Sequence, residues 1–241
     1  MKKLLYLFSA VALTLTSCSS DDDSNDSSII LVTKTIETFD DGSTITTNFL
    51  YNDNQLVEWN DSDERETFTY DATGKIVSGK YYFDGDSFNI DYTYDSQNRL
   101  IEIRNNDTEE IFEYVYNTNG TITEIRKDFD LNIDESATYS ITNGNIMSIM
   151  YTISPSPITS ANYSYDNLNN PFANIHLPYQ LFLNYFDENK NNELNGVINN
   201  SVSNNNSFTC TYTYNSNGYP NVKTKTYGNG NIETIQYFYN N

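Results

Sequence analysis

The chain has 241 residues, with 33 acidic and 13 basic side chains and a formal net charge of −20. This acidic balance excludes nucleic acid as a natural partner, because phosphate binding needs clustered cations, and it opposes contact between the folded part and an anionic lipid surface. Two cysteines and one histidine leave little material for disulfides, zinc or histidine-based catalysis.

Residues 1–17 are not part of the fold. Lys2 and Lys3 precede an apolar run from Leu4 to Leu15. The run is shorter than the ~20 residues of a bilayer span but suits the core of an export signal. It ends in Leu15-Thr16-Ser17-Cys18, which resembles the lipobox of bacterial lipoproteins. That resemblance implies cleavage after residue 17 and lipid on Cys18. Acyl chains bury methylene groups at ~0.8 kcal/mol each, and several chains together make attachment permanent. Beyond Cys18, residues 19–28 are all Ser, Asp and Asn; with nothing apolar to bury, 18–28 reads as a disordered acidic tether. Acidic residues directly after a lipidated cysteine are also similar to the surface-export signal of some Gram-negative lipoproteins. The implied address is the outer membrane, surface-exposed. Loss of the two signal lysines leaves 11 basic residues against 33 acidic ones, which favours solubility at a crowded surface.

From residue 29 to 241 the sequence reads as a single repetitive β domain. The repeated unit is aromatic, any residue, Tyr, then Asp or Asn, two variable residues, Gly or Asn, one more, and an aliphatic residue. In chain order it begins loosely at Phe49-Leu50-Tyr51-Asn52 and closely at Phe68-Thr69-Tyr70-Asp71, with Gly74 and Ile76. It recurs at Tyr92-Thr93-Tyr94-Asp95, with Asn98 and Leu100, and at Tyr114-Val115-Tyr116-Asn117, with Gly120 and Ile122. A degenerate copy at Tyr139-Ser140-Ile141 is followed by Tyr163-Ser164-Tyr165-Asp166, Tyr212-Thr213-Tyr214-Asn215 and Tyr237-Phe238-Tyr239-Asn240. Aromatic-x-Tyr has the period of a strand, so both rings leave one face. The Asp or Asn opens an Asx-type turn, and Gly or Asn three residues on tolerates the left-handed conformation of the loop. The aliphatic residue begins the return strand. Each period is thus two strands and two turns, the second expected to be looser, as at Asp84-Gly85-Asp86, Asn105-Asn106-Asp107 and Gly228-Asn229-Gly230. The expectation is an all-β antiparallel meander of about 14–16 strands, forming a curved sheet or a closed barrel. Scattered acids and strands shorter than 9–11 residues argue against a barrel that spans the membrane. Cys210 lies in the alternating segment Ser207–Tyr212 and reads as a small buried hydrophobe.

One region breaks the pattern. Pro171–Pro178 is followed by Tyr179–Phe186, which predicts one short helix near 178–186, placed to plug a barrel end or cover a sheet face. The Asn-rich stretches 188–195 and 199–206 read as long loops.

Tyr70-Asp71-Ala72-Thr73-Gly74-Lys75-Ile76 and Tyr94-Asp95-Ser96-Gln97-Asn98-Arg99-Leu100 resemble the YD repeats of Rhs-type and teneurin shells. Together with Asn170-Pro171-Phe172 and Asn215-Ser216-Asn217-Gly218-Tyr219-Pro220, they are more closely similar to a group of small bacterial surface lipoproteins. That group is a domain of unknown function with a porin-like β fold. The resemblance covers about residues 44–241, implies the fold, and carries no activity.

The residues offer no catalytic set. His176 sits in an apolar run, without a Gly-x-Ser-x-Gly or a reactive cysteine beside it. No metal site is predicted, and no cofactor. Asp187-Glu188-Asn189-Lys190-Asn191 begins like a calcium loop but lacks the Gly and Glu that an EF-hand needs, so only weak calcium binding by acidic loops is left open. The repeated rings read as core, whereas Trp59, Tyr179, Tyr185 and Tyr219 fall outside the repeat register and are the candidates for ligand contact. The leading reading is a non-catalytic surface lipoprotein that binds or scaffolds at the outer membrane, with a glycan or another surface protein as possible partner. A glycan-capturing accessory protein of an uptake system is the alternative, and an undetected hydrolase is the third.

Overall fold

The computed structural model describes residues 29–153, 158–177, 189–200 and 207–240. Sixteen strands follow one another among these residues. They are β1 (Val32–Thr38), β2 (Thr44–Asn52), β3 (Gln55–Asn60), β4 (Glu64–Tyr70), β5 (Ile76–Phe83) and β6 (Asp86–Tyr94). Next come β7 (Leu100–Asn105), β8 (Ile111–Tyr116), β9 (Ile122–Lys127), β10 (Ile133–Thr142) and β11 (Asn145–Ile153). The series ends with β12 (Ile158–Tyr165), β13 (Glu193–Asn200), β14 (Phe208–Tyr214), β15 (Pro220–Tyr227) and β16 (Ile232–Tyr239). Each strand pairs antiparallel with its sequence neighbours, and β16 returns to β1 with Thr35 opposite Tyr237, so the sheet closes into a barrel. Closure removes the exposed edges that an open meander would carry.

The aromatic-x-Tyr spacing places both rings inside. Phe68, Tyr92 and Tyr114 are buried, and Tyr70, Tyr94 and Tyr116 pack against the same core cluster. The tyrosine hydroxyls add a ladder of bonds between successive hairpins. Tyr51 donates to the carbonyl of Val32, Tyr70 to Leu56, Tyr116 to Leu100, Tyr165 to Ile146, Tyr212 to Glu193 and Tyr239 to Pro220, all at 2.5–2.8 Å. Tyr94 is the exception: its buried hydroxyl has no hydrogen-bond partner among the described residues.

The turns after the tyrosines follow the expected chemistry. Asp71 Oδ1 accepts from the N–H groups of Thr73 and Lys75, Asp95 from Gln97 and Arg99, and Asn215 from Asn217 and Tyr219. Gly74 and Asn98 take the positive φ of the loop, at 83° and 64°.

Two local expectations need correction. The turn at Asp84-Gly85 is tight rather than loose. Both residues have positive φ, and Phe83 pairs directly with Asp86, because Asp-Gly fits the two-residue turn whose twist matches the strands. The Asn-rich residues 193–195 and 199–200 belong to strand β13 rather than to loops. Their backbone completes the ladder with β12, where Ser164 faces Asn195 and Ser160 faces Asn199; an asparagine side chain pointing to water does not prevent pairing. Cys210 is buried as expected, among Ala161, Ile198 and Phe208, and burial pushes its thiol pKa up.

The outward face carries ion pairs near the strand ends remote from the repeat turns. Arg65 lies against Glu58, Arg104 against Glu102 and Lys127 against Glu113.

The turns that follow the repeat tyrosines gather at one end of the barrel, together with Ile29–Leu31 and Asn240. Residues 166–177 cross that end as a plug. The N–H of His176 donates to the carbonyl of Asn54, Asn174 Nδ2 donates to the Ile30 carbonyl and to Tyr219 Oη, and Phe172 meets Phe49 edge-on at 5.1 Å. The helix expected over 178–186 lies outside the described residues.

Candidate functional site

Above the plug the barrel is not filled. A cavity of about 690 Å³ extends from Asn170, Pro171 and Phe172 toward the opposite rim, where Glu37, Asp61 and Glu64 line it. Its walls follow from strand alternation: β2 contributes Thr47 and Phe49, β3 contributes Trp59, β12 contributes Tyr163 and Tyr165, and β16 contributes Ile235 and Tyr237. Asn189, Asn192, Glu193, Tyr212 and Lys223 also line it, as does Ile149 of β11.

Trp59 is held by a buried carboxylate. Its Nε1 donates to Glu66 Oε2 at 3.1 Å, and Tyr92 Oη donates to Glu66 Oε1 at 3.2 Å. Glu66 is fully buried on the inward face of β4. Burial pushes its pKa up to about 7, against the two hydrogen bonds that favour the charged form, with the nearby charge of Glu64 adding to the rise. Gly79 on β5 makes room for this arrangement: a Cβ there would stand 2.9 Å from the Thr67 carbonyl oxygen and 3.3 Å from Tyr92 Oη. A second interior carboxylate, Glu124, accepts from Tyr139 Oη at 3.2 Å. Burial, with the Glu124 charge beside it, raises the Tyr139 pKa far above the phenol range.

The other polar centre lies where β13 begins. Lys223 Nζ stands 3.8 Å from Glu193 Oε2, and both side chains are buried. Two charges removed from water persist only when they compensate one another, so the pair is a neutral unit in the wall. Beside it, Asn192 is 2% exposed. Its Nδ2 donates to Asp166 and to the Asn169 carbonyl, while its Oδ1 has no hydrogen-bond partner among the described residues.

Of the residues singled out by sequence, Trp59 lines the cavity, although as a buried wall residue rather than an exposed ring. Tyr219 is a correction. It is 7% exposed, packs edge-on against Tyr239 at 5.7 Å, and accepts from Asn174 Nδ2. Its ring seats the plug and is not available for ligand contact. Tyr179, Tyr185 and Cys18 lie outside the described residues. His176 is exposed and serves the plug through its backbone. Among the described residues no group of three or more His, Cys, Asp or Glu is placed to hold a metal ion. Glu66, Asn192, Glu193 and Lys223 escaped sequence reasoning. Strand alternation marks Glu66 as inward, in phase with Phe68 and Tyr70, and that phase was the available signal.

No family model matches the chain, and no curated protein matches it. Among solved structures, it is similar to the crystal structure of a porin-like protein from Bacteroides uniformis ATCC 8492. That likeness has a TM-score of 0.54 and 12% sequence identity, over 86% of this chain and 97% of the other. It shows that the two chains share a β-barrel fold. At this identity the likeness concerns the fold alone.

Proposed function

We propose that this chain is a surface-exposed outer-membrane lipoprotein, anchored through Cys18, whose barrel is a non-catalytic domain that binds a small ligand in its lumen. The observation that carries the reading is the cavity above the plug. Its volume falls within the about 300–1,000 Å³ of ordinary small-ligand pockets, and a few polar groups stand among aromatic walls. A porin-like barrel is compatible with an outer-membrane location. The described residues begin at the plugged end, where Leu31 N–H bonds Asn240 Oδ1, so an anchor N-terminal to them holds the unplugged rim away from the membrane. Glycan capture is the favoured form of this reading, because Trp59 and several tyrosines line the cavity and aromatic rings pack against the C–H faces of sugars.

Two measurements test the reading. Cys18→Ala releases the protein from membranes if lipid on that residue is the anchor; persistent membrane association overturns it. A ligand at 100 times its Kd adds ~2.7 kcal/mol, which raises the melting midpoint of a barrel this size by roughly 5–10 °C. A panel of surface and dietary glycans and calcium that leaves the midpoint flat favours a protein partner or a scaffold.

A further inference from the structure

We propose that the lumen takes a neutral saccharide of one or two rings, seated against Trp59 with its hydroxyls on the polar centre at Glu193 and Lys223. This rests on the lumen-binding reading above and names its ligand class.

Charge decides first. Among the described residues Lys223 is the single cation in the lining, and Glu193 lies 3.8 Å from it. The inner part of the cavity is therefore without net charge, while Glu37, Asp61 and Glu64 make the rim negative. An anionic ligand would pass three carboxylates to reach a cation already compensated. A cationic ligand finds its attraction at the hydrated rim, where screening weakens it, and not in the interior.

Hydrogen bonding decides next. Asn192 lines the cavity as a residue, but its Oδ1 is closed off from it and accepts nothing from the described residues. Lys223 donates and Glu193 accepts, side by side. A hydroxyl does both, and neighbouring hydroxyls on one ring match a donor and an acceptor a few ångströms apart. A hydrocarbon ligand would leave both groups facing apolar atoms, which is unfavourable. The rings of Trp59, Tyr163 and Tyr237 supply the apolar surface that the C–H face of a sugar needs.

Trp59 is the protein's single tryptophan, so its fluorescence reports this cavity. The purified, lipid-anchored protein is titrated with cellobiose, maltose and lactose. In parallel it is titrated with a glucuronic acid disaccharide, the deacetylated chitin disaccharide and a fatty acid. The expected result is a saturable change with at least one neutral disaccharide. Thr47→Phe, which fills the cavity from β2, weakens it at least tenfold with an unaltered melting curve; Ile149→Phe serves if the first variant fails to fold. Binding only of the acidic sugar, the amino sugar or the fatty acid, blocked by the same fillers, overturns the saccharide class and leaves the lumen reading standing. Neutral-sugar binding that ignores both fillers places the site elsewhere and overturns the proposal. No change in fluorescence or melting with any probe sinks both the proposal and the lumen reading.

Discussion

Asp166 and Asn192 are bonded to one another as Asp71 is to Lys75. Asp166 N–H donates to the Asn192 carbonyl at 3.0 Å, and Asn192 N–H donates to Asp166 Oδ1 at 3.1 Å; the matching distances for Asp71 and Lys75 are 2.8 and 3.1 Å. The plug is thus an insertion within a repeat turn, and the turn still closes around it. Asp166 also accepts from Asn192 Nδ2 and from Tyr214 Oη. Asp166→Ala strands these buried donors and should cost about 2–3 kcal/mol, against about 1 kcal/mol for the exposed Asp71→Ala. Chemical denaturation of the two variants checks the order; equal losses would mean that the plug does not depend on this closure.

The tyrosine ladder predicts a contrast between two chemically identical changes. Tyr70→Phe removes a hydroxyl bonded to Leu56 at 2.7 Å and should cost about 1 kcal/mol. Tyr94→Phe removes a buried hydroxyl without a partner and should be neutral or stabilising. Urea unfolding midpoints of the pair measure the difference directly.

Glu66 predicts a pH dependence near neutrality. Its folded pKa of about 7 lies above the ordinary 4.5, so between these values the folded state holds a proton that the unfolded chain has released. Stability from this group is complete below pH 4.5 and declines as pH rises through 7, by on the order of 3 kcal/mol. Asp41, Asp71 and Asp95 have lowered pKa values through turn hydrogen bonds, and their contribution is lost at the acid end, below their ordinary 3.8, so the windows do not overlap. Glu66→Gln should flatten the melting temperature between pH 5 and 8. A slope equal to that of the parent would place the titration elsewhere.

Gly196 is covered by Phe208, whose ring a Cβ at that position would overlap. The same ring lies 6.4 Å from Tyr163 and 6.3 Å from Tyr227, so it has no free direction of retreat. Gly196→Ala should destabilise by roughly 1–3 kcal/mol through overpacking, measured as a fall in melting midpoint. Gly196→Ala together with Phe208→Leu should recover part of the loss.

The fold was largely legible because the repeat encodes it twice: Phe68 and Tyr70 share a strand face, and Asp71 with Gly74 spells the turn. Closure was less legible, since pairing of Thr35 with Tyr237 depends on the whole meander's curvature and not on either strand. Strand β13 was hidden because Asn195 and Asn199 have loop-like propensity, while pairing with β12 decides their conformation. Of the site, Trp59 stood out by being alone and off register. Lys223 did not, since Val222-Lys223-Thr224-Lys225 looks like any solvated strand until β15 is placed with Lys223 facing inward. Tyr219 misled for a related reason: a ring beside a turn reads as exposed until residues 170–177 fold over it.

The pairing of β1 with both β2 and β16 has a mechanical consequence. Force applied through the chain before Ile29 runs along the axis of β1, so it loads two ladders of backbone bonds in shear and must strain them together. Peeling one bond at a time, the weak geometry for a sheet, is denied to a strand flanked on both sides. A domain held by its N-terminal end is therefore gripped at the strand where the ring is sealed, and tension on that end pulls against both sides of the seam at once.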